Sequence, residues 1–291
     1  MDVWLAGILD RFGEPPNRFH PVAWFGRLAR GLEGRFYRDA VAAGGGLALL
    51  LVAAAAALGG VLERLAQALP AGAEAVLLAL LLKPSFALEG LLLAASAVER
   101  ALEEGLGPAR EALSAIVSRP TGGLDAGQVR MAAIESLAEN LVDSVAAPLF
   151  YYLLFGLEGA YLFRAANTLD AMWGYRDARY RRFGRVAARL DDLLAYLPAR
   201  GVALLLAGGA SLGPYALARE AGKTPSPNAG WPMAAVALRF GLRLEKPGVY
   251  VLNESGRVPA REDLLRVRAR VAAVGALLLF AAGLLRWGVG A

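Results

Sequence analysis

The run Ala40–Leu62, AVAAGGGLALLLVAAAAALGGVL, lies between Asp39 and Glu63 and carries no charge over 23 residues. As an α-helix rising 1.5 Å per residue it covers about 30 Å of hydrocarbon. A lone segment in lipid must satisfy its own backbone polar groups, so a helix is the form it takes. The rest of the chain supports this reading. AVILMFWYC residues make up 57% of the 291 residues, and mean hydropathy is +0.44. That is too apolar for one soluble core, and it excludes ordinary soluble, disordered and fibrous classes.

Four more apolar stretches follow. Residues 75–98 contain Lys83, Pro84 and Glu89, and each charge would cost about 3 kcal/mol at a bilayer centre, so a broken helix facing protein or water is expected. Residues 145–163 are split by Gly156-Leu157-Glu158-Gly159, and residues 201–218 by Gly208-Gly209 and Gly213-Pro214. Residues 271–287 continue a helix whose start is marked by Pro259, Glu262 and Asp263. Lys and Arg number six in 1–39, one in 63–74, four in 99–143, eight in 164–200 and ten in 219–270. Positive charge favours the inner side, which places 63–74 outside and the others inside. The third and fourth stretches must then enter and return, leaving three full spans and two re-entrant hairpins. The expected fold is an all-α, polytopic helical membrane protein, a single domain over 1–291 with broken helices and amphipathic surface helices.

Only Lys83, Lys223 and Lys246 are lysines among 31 basic residues, and the formal net charge is +5. With no stacking platform or helix-turn-helix, this charge suits an anionic membrane face and gives no support to a nucleic-acid partner. There is no Cys and one His, which excludes disulfides, thiolate zinc sites, iron–sulfur clusters and Cys nucleophiles. The segment Met1–Asp10 is too short and acidic for a signal peptide.

The polar segments 99–143, 164–200 and 219–260 hold the reactive side chains. Asp125 and Gln128 form a capping-box pattern at the start of a helix. That helix carries Glu135, Glu139 and Asp143 at i, i+4 and i+8 with Asn140 beside them, and runs straight into the apolar stretch at Val145. Acids so placed repel unless solvated, paired or bridged by a metal, and oxygen ligands of this kind suit Mg²⁺. Arg119, in the turn Ser118-Arg119-Pro120-Thr121-Gly122-Gly123, is a candidate anion clamp. Ala138–Asp143 and Ala165–Asp170 share A-x-N-x-[VL]-D, pairing Asn140 with Asp143 and Asn167 with Asp170. Tyr175, Arg179, Tyr180, Arg189, Asp191 and Asp192 follow. Arg176, Arg179, Arg182, Arg185 and Arg189 make a basic helical stripe, readable as a helix lying on anionic lipid. Pro225-Ser226-Pro227-Asn228-Ala229-Gly230-Trp231-Pro232 is a rigid turn able to present an amide or start a helix. Gly222-Lys223-Thr224 is no P-loop, because Leu217 stands where its first glycine belongs. The lone His20 precedes Pro21, where a structural role is the commoner one.

Taken in order, HPVAWFGRL (20–28), KPSFAL (83–88), IVSRPTGGLDAGQV (116–129), ESLAENLVDSVAAPLFY (135–151), NTLDAMWGYRDARYRRFGRVAARLDD (167–192) and TPSPNAGWP (224–232) resemble the adenosylcobinamide-phosphate synthase family of late cobalamin biosynthesis. Pro120 and Glu14 depart from it, each standing where the family usually has Asp. The resemblance implies an ATP- and Mg²⁺-dependent amide ligation in the inner cell membrane with its polar segments cytoplasmic. Adenosylcobyric acid, a corrinoid, would be joined to aminopropanol or its O-phosphate, and other membrane enzymes of the pathway are implied partners. On this basis Glu135, Glu139, Asp143 and Asp170 are the catalytic candidates, with Glu139, Asp143 and Asp170 the metal ligands. Arg119, Arg179 and Arg189 would hold phosphate. Asn140, Asn167, Tyr175, Tyr180, Asp191, Asp192, Ser226, Asn228, Trp231, His20 and Lys83 would complete substrate binding. A Mg²⁺-dependent membrane prenyl-type transferase and a non-catalytic membrane sensor are the alternatives.

Overall fold

The computed structural model describes residues 1–208 and 213–290. In chain order its helices are α1 (Asp2–Asp10), α2 (Pro21–Phe36), α3 (Val41–Gln67), α4 (Ala71–Leu82), α5 (Leu88–Glu104), α6 (Leu106–Ser114), α7 (Ala126–Leu141), α8 (Ala147–Trp173), α9 (Tyr180–Phe183), α10 (Arg185–Leu194), α11 (Tyr196–Ala207), α12 (Pro214–Ala221), α13 (Gly230–Phe240) and α14 (Arg261–Gly290). A 3₁₀ turn, Lys83–Ser85, separates α4 from α5, and a π-helical turn, Val142–Ala146, separates α7 from α8. The fold is all-α apart from one antiparallel ribbon, β1 (Leu244–Lys246) with β2 (Tyr250–Leu252), the only sheet among the described residues. Four helical stretches are long and apolar enough to cross a membrane: Val41–Gln67, Ala71–Glu104, Ala126–Trp173 and Arg261–Gly288. The expected stretch 201–218 is not among them. Its helix α11 has 12 residues, or about 18 Å, too short to span; Gly209 in the expected break lies outside the described residues.

The chain packs as two compact units. The first holds residues 1–87, 147–195 and α14 from Leu278 onward. Its axis is α3, whose glycines admit other backbones: a Cβ at Gly59 would overlap Leu157, and one at Gly44 would overlap the Phe183 carbonyl. Within α8 the helical dihedrals fail at Phe155 and Gly156, where Gly156 has φ 61°. The Tyr151 and Phe163 rings stack at 5.8 Å, although twelve residues of straight helix would separate them by about 18 Å. The chain therefore reverses here, as the Gly156–Gly159 break predicts. The reversal is deeper than a re-entrant dip. The Leu157 amide donates to Glu63 at the far end of α3, and the returning arm packs along α3 to bury Leu169, Trp173, Phe183, Leu47 and Leu51 in one core. The apolar α1, unforeseen in sequence, packs beside α4, with Trp4 against Phe280 and Trp287.

The second unit holds residues 88–146 and 196–277. At its centre is α7, opened by the Asp125–Gln128 capping box as expected and buried continuously from Met131 to Ala138. A solvated acidic face is thereby excluded over residues 131–138, the stretch that carries Glu135. Helices α5, α6 and α13 and strand β1 pack around it.

Candidate functional site

In the second unit, Glu135 projects from buried α7 and takes an ion pair from Arg119 Nη2 at 2.6 Å. Arg119 comes from the Pro/Gly turn before α7, so the guanidinium that sequence offers to an anion is met by the chain's own carboxylate. Its Nε is buried and lacks a hydrogen-bond partner among the described residues. The ribbon completes the cluster: the Tyr250 phenol faces Glu135, with Lys246 and Glu139 within electrostatic reach. Burial, reinforced by the Glu135 carboxylate, pushes the Tyr250 phenol well above its usual range, so Tyr250 stays a proton donor. Asn140 donates to the Ser136 carbonyl at 2.9 Å and hydroxyl at 3.1 Å, and Ser136 donates to Ile116 O. Asp143 falls in the π turn. The regular spacing that put it in line with Glu135 and Glu139 therefore ends one residue after Asn140, and π turns of this kind recur at functional sites.

The first unit gathers a second set of predicted side chains. Asn167 on the returning arm of α8 donates to Asp191 on α10 at 3.2 Å and accepts from Arg164 at 3.2 Å. Arg164 also holds the Ser85 carbonyl of the 3₁₀ turn. Asp170 and Asp192 bring two carboxylates close enough to repel. Burial raises the pKa of Asp192, opposed by the nearby Arg176. Beside it is a cavity of about 410 Å³, lined among others by Tyr175, Arg176, Arg181, Arg185, Arg189 and Asp192.

Arg179, expected to hold phosphate, is committed elsewhere. Buried Glu33 on α2 accepts from Arg179 Nη2 at 2.8 Å, Trp173 Nε1 at 3.0 Å and the Tyr180 hydroxyl at 2.9 Å. The Tyr37 ring lies under the same guanidinium at 4.4 Å. Hydrogen bonds to Glu33 and Tyr180 raise the Arg179 pKa further. Glu33 was not predicted, because its partners are far away in sequence.

Lys83 and His20 form a third cluster in the first unit. Lys83 pairs with Asp10 at 3.2 Å and with Glu14, while His20 Nε2 meets Glu14 at 3.0 Å. His20 Nδ1 also caps α2 by accepting the Val22 amide, the structural role a lone histidine more often has. Burial would raise the Glu14 pKa, but hydrogen bonds from His20 and Lys83 outweigh it and hold the carboxyl below its usual value. In the second unit, Ser226 accepts the amides of Asn228 and Ala229. Buried Asn228 accepts from Arg200 at 3.0 Å, and Arg200 lies over the rings of Tyr196 and Trp231. Ser226 thus builds the turn, and Asn228 and Trp231 face Arg200, a cation that sequence reading passed over.

Of the predicted metal trio, Glu139 and Asp143 belong to the second unit and Asp170 to the first. Among the described residues no group of three or more His, Cys, Asp or Glu side chains stands ready to hold a metal ion. The Asp170–Asp192 pair still fits Mg²⁺, which is commonly held by one or two carboxylates together with water and substrate phosphates.

Residues 3–274 match the family model described as CobD/Cbib protein. A probable cobalamin biosynthesis protein CobD of Thermococcus kodakarensis is 44% identical over 87% of this chain and 84% of its own length. A protein of the same name from Methanothermobacter thermautotrophicus is 41% identical, covering 86% and 85%. A cobalamin biosynthesis protein CobD of Dehalococcoides mccartyi is 37% identical, covering 87% and 86%. No solved structure matches. The motifs that carry the resemblance thus sit in a match running nearly end to end, and the chain belongs to the CobD/Cbib protein family.

Proposed function

We propose that this protein forms the amide bond between adenosylcobyric acid and (R)-1-aminopropan-2-ol or its O-phosphate, in an ATP- and Mg²⁺-dependent step of late cobalamin biosynthesis. The observation that carries this reading is the likeness, over 87% of the chain, to relatives named for cobalamin biosynthesis. A carboxylate is a poor acyl donor because its oxygen leaves only when activated. Transfer of the γ-phosphoryl group to that oxygen releases ADP and gives an acyl phosphate. The amine nitrogen then bonds to the acyl carbon, the C–O bond to phosphate breaks, and the ammonium proton passes to a base.

Glu139 is our candidate for that base. It lies in the electrostatic reach of Tyr250, whose raised pKa keeps a hydrogen-bond donor beside it. Glu135, held by Arg119, keeps the local charge balanced and positions Arg119, which therefore acts on the carboxylate and not on phosphate. Asp170 and Asp192 would hold Mg²⁺, which when bound neutralises phosphate charge. Arg189 faces the basic cavity and is the phosphate ligand retained from the sequence-based set. The polar segments would work at the cytoplasmic face of the inner membrane.

Purified protein in nanodiscs, given adenosylcobyric acid, either amine and Mg·ATP, is expected to shift the corrinoid mass by one amide condensation. Glu139→Gln and Asp170→Asn should each lower turnover by about 100-fold or more, with folding intact. Absence of product with both amines from folded protein would overturn the reading, as would full activity in both variants.

A further inference from the structure

Of the arginine stripe that sequence reads as lipid-facing, Arg176, Arg182, Arg185 and Arg189 line a cavity in the structure, joined there by Arg181, while Arg179 pairs with Glu33 and Arg182 lies 3.9 Å from Asp39. Arg176, Arg181, Arg185 and Arg189 surround about 410 Å³ between the end of α8 and α10. Arg181, Arg185 and Arg189 are exposed and make no ion pair among the described residues; Arg176 is held by the field of Asp192. With Asp192 the one carboxylate in the lining, the guanidiniums outnumber the acid and repel each other unless solvent or an anion screens them, and their planar forks match phosphate oxygens two at a time. Two further observations narrow the anion. Asp192 lines the same cavity and opposes Asp170. An acid there repels a lone phosphate but suits a polyphosphate that brings a divalent cation. Tyr175, nearly half exposed, stands at the cavity with its ring 6.3 Å from that of Tyr180, leaving an aromatic face for a base.

We propose that this cavity seats the triphosphate of a nucleoside triphosphate, with Arg176, Arg181, Arg185 and Arg189 as phosphate ligands and Asp192, opposite Asp170, at the accompanying divalent cation. The assignment rests on the ATP-dependence proposed above and gives the nucleotide a place in a chain without a P-loop. The chemistry shared with a lipid headgroup is phosphate recognition, and lipid composition separates the two sources.

The test is direct binding of a fluorescent ATP analogue with Mg²⁺ to protein in phosphatidylcholine nanodiscs, with no corrinoid or amine present. Saturable binding is expected, displaced by ATP and by inorganic tripolyphosphate. Arg181→Ala and Arg185→Ala should each weaken it about tenfold, the loss of one charged hydrogen-bonding partner. Arg185→Lys should weaken it less, and Arg64→Ala, near the C-terminal end of α3 in the same unit and outside the cavity lining, should leave it unchanged. Unaltered affinity in the Arg181 and Arg185 variants would overturn the proposal. So would an effect confined to nanodiscs containing phosphatidylglycerol, which would make the cavity a headgroup site. The amide assay keeps the two readings apart. Arginine-dependent nucleotide binding without amide product would leave this site standing while the ligation reading fails. Normal amide synthesis in Arg181→Ala and Arg185→Ala would do the reverse.

Discussion

At Glu33 a single buried carboxylate collects donors from Trp173, Tyr180 and both Nε and Nη2 of Arg179. Removing it leaves a guanidinium, an indole and a phenol to be resolvated in a packed region. Breaking a charged pair from one side costs more than the intact pair contributes, because the remaining charge is left uncompensated. Since Arg179 is itself half exposed, solvent compensates part of that loss. Glu33→Ala should therefore lower the melting temperature in detergent clearly, and Glu33→Ala with Arg179→Ala should cost less than the two single changes together. Additive losses would mean the pair is not coupled. None of this was legible in sequence: Trp173 lies 140 residues from Glu33, and no local period links them. Asp125 was legible because its partner, Gln128, is three residues away and the chemistry of a helix start is local.

The same divide runs through the elements. The reversal at Gly156 could be expected from glycines that interrupt an apolar run, but its depth is set by Glu63, nearly a hundred residues earlier. The β1–β2 ribbon was missed. Its strands have three residues each, too few for an alternating pattern, and the phenol it carries to Glu135 is visible only after folding. The ribbon is tied down by Glu220 at the end of α12, which is buried, accepts the Asn253 amide at 2.7 Å and pairs with Lys223 at 2.7 Å. Burial works against that charge, but Lys223 and the Asn253 amide outweigh it and the Glu220 pKa is lowered. A depressed carboxyl pKa contributes stability that is fully present above the unfolded value of about 4.3 and is lost as pH falls through the folded value. Glu220→Gln should accordingly melt below the parent protein at neutral pH, by the equivalent of about 1–3 kcal/mol. The gap should close as the buffer is taken below about pH 4. A gap that is constant with pH would show that the carboxylate charge contributes nothing there.

For the molecule as a whole, the charge distribution and the observed chain reversal make a joint statement about sidedness. Segments 1–39, 99–143, 164–200 and 219–270 carry 28 of the 31 basic residues, and 63–74 carries one. The positive-inside rule therefore predicts the two groups on opposite sides of the bilayer. Had 145–163 crossed once, the arginines of 164–200 would have been driven to the outer side. The Tyr151–Phe163 stacking removes that conflict, because the chain comes back. The turn at Gly156 meets Glu63, so within the first unit it shares the level of the arginine-poor loop. Since the chain has no cysteine, single substitutions read this directly. Gly72→Cys, where nothing lies within 4 Å of a new Cβ, should react with a membrane-impermeant maleimide added outside intact cells. Ala178→Cys, exposed in the arginine segment, should react only after the membrane is opened. Labelling of both from outside would mean that the α8 reversal does not return the chain to its starting side. Labelling of Ala178→Cys alone from outside would invert the whole topology, and the basic cavity would then face away from any cytoplasmic nucleotide.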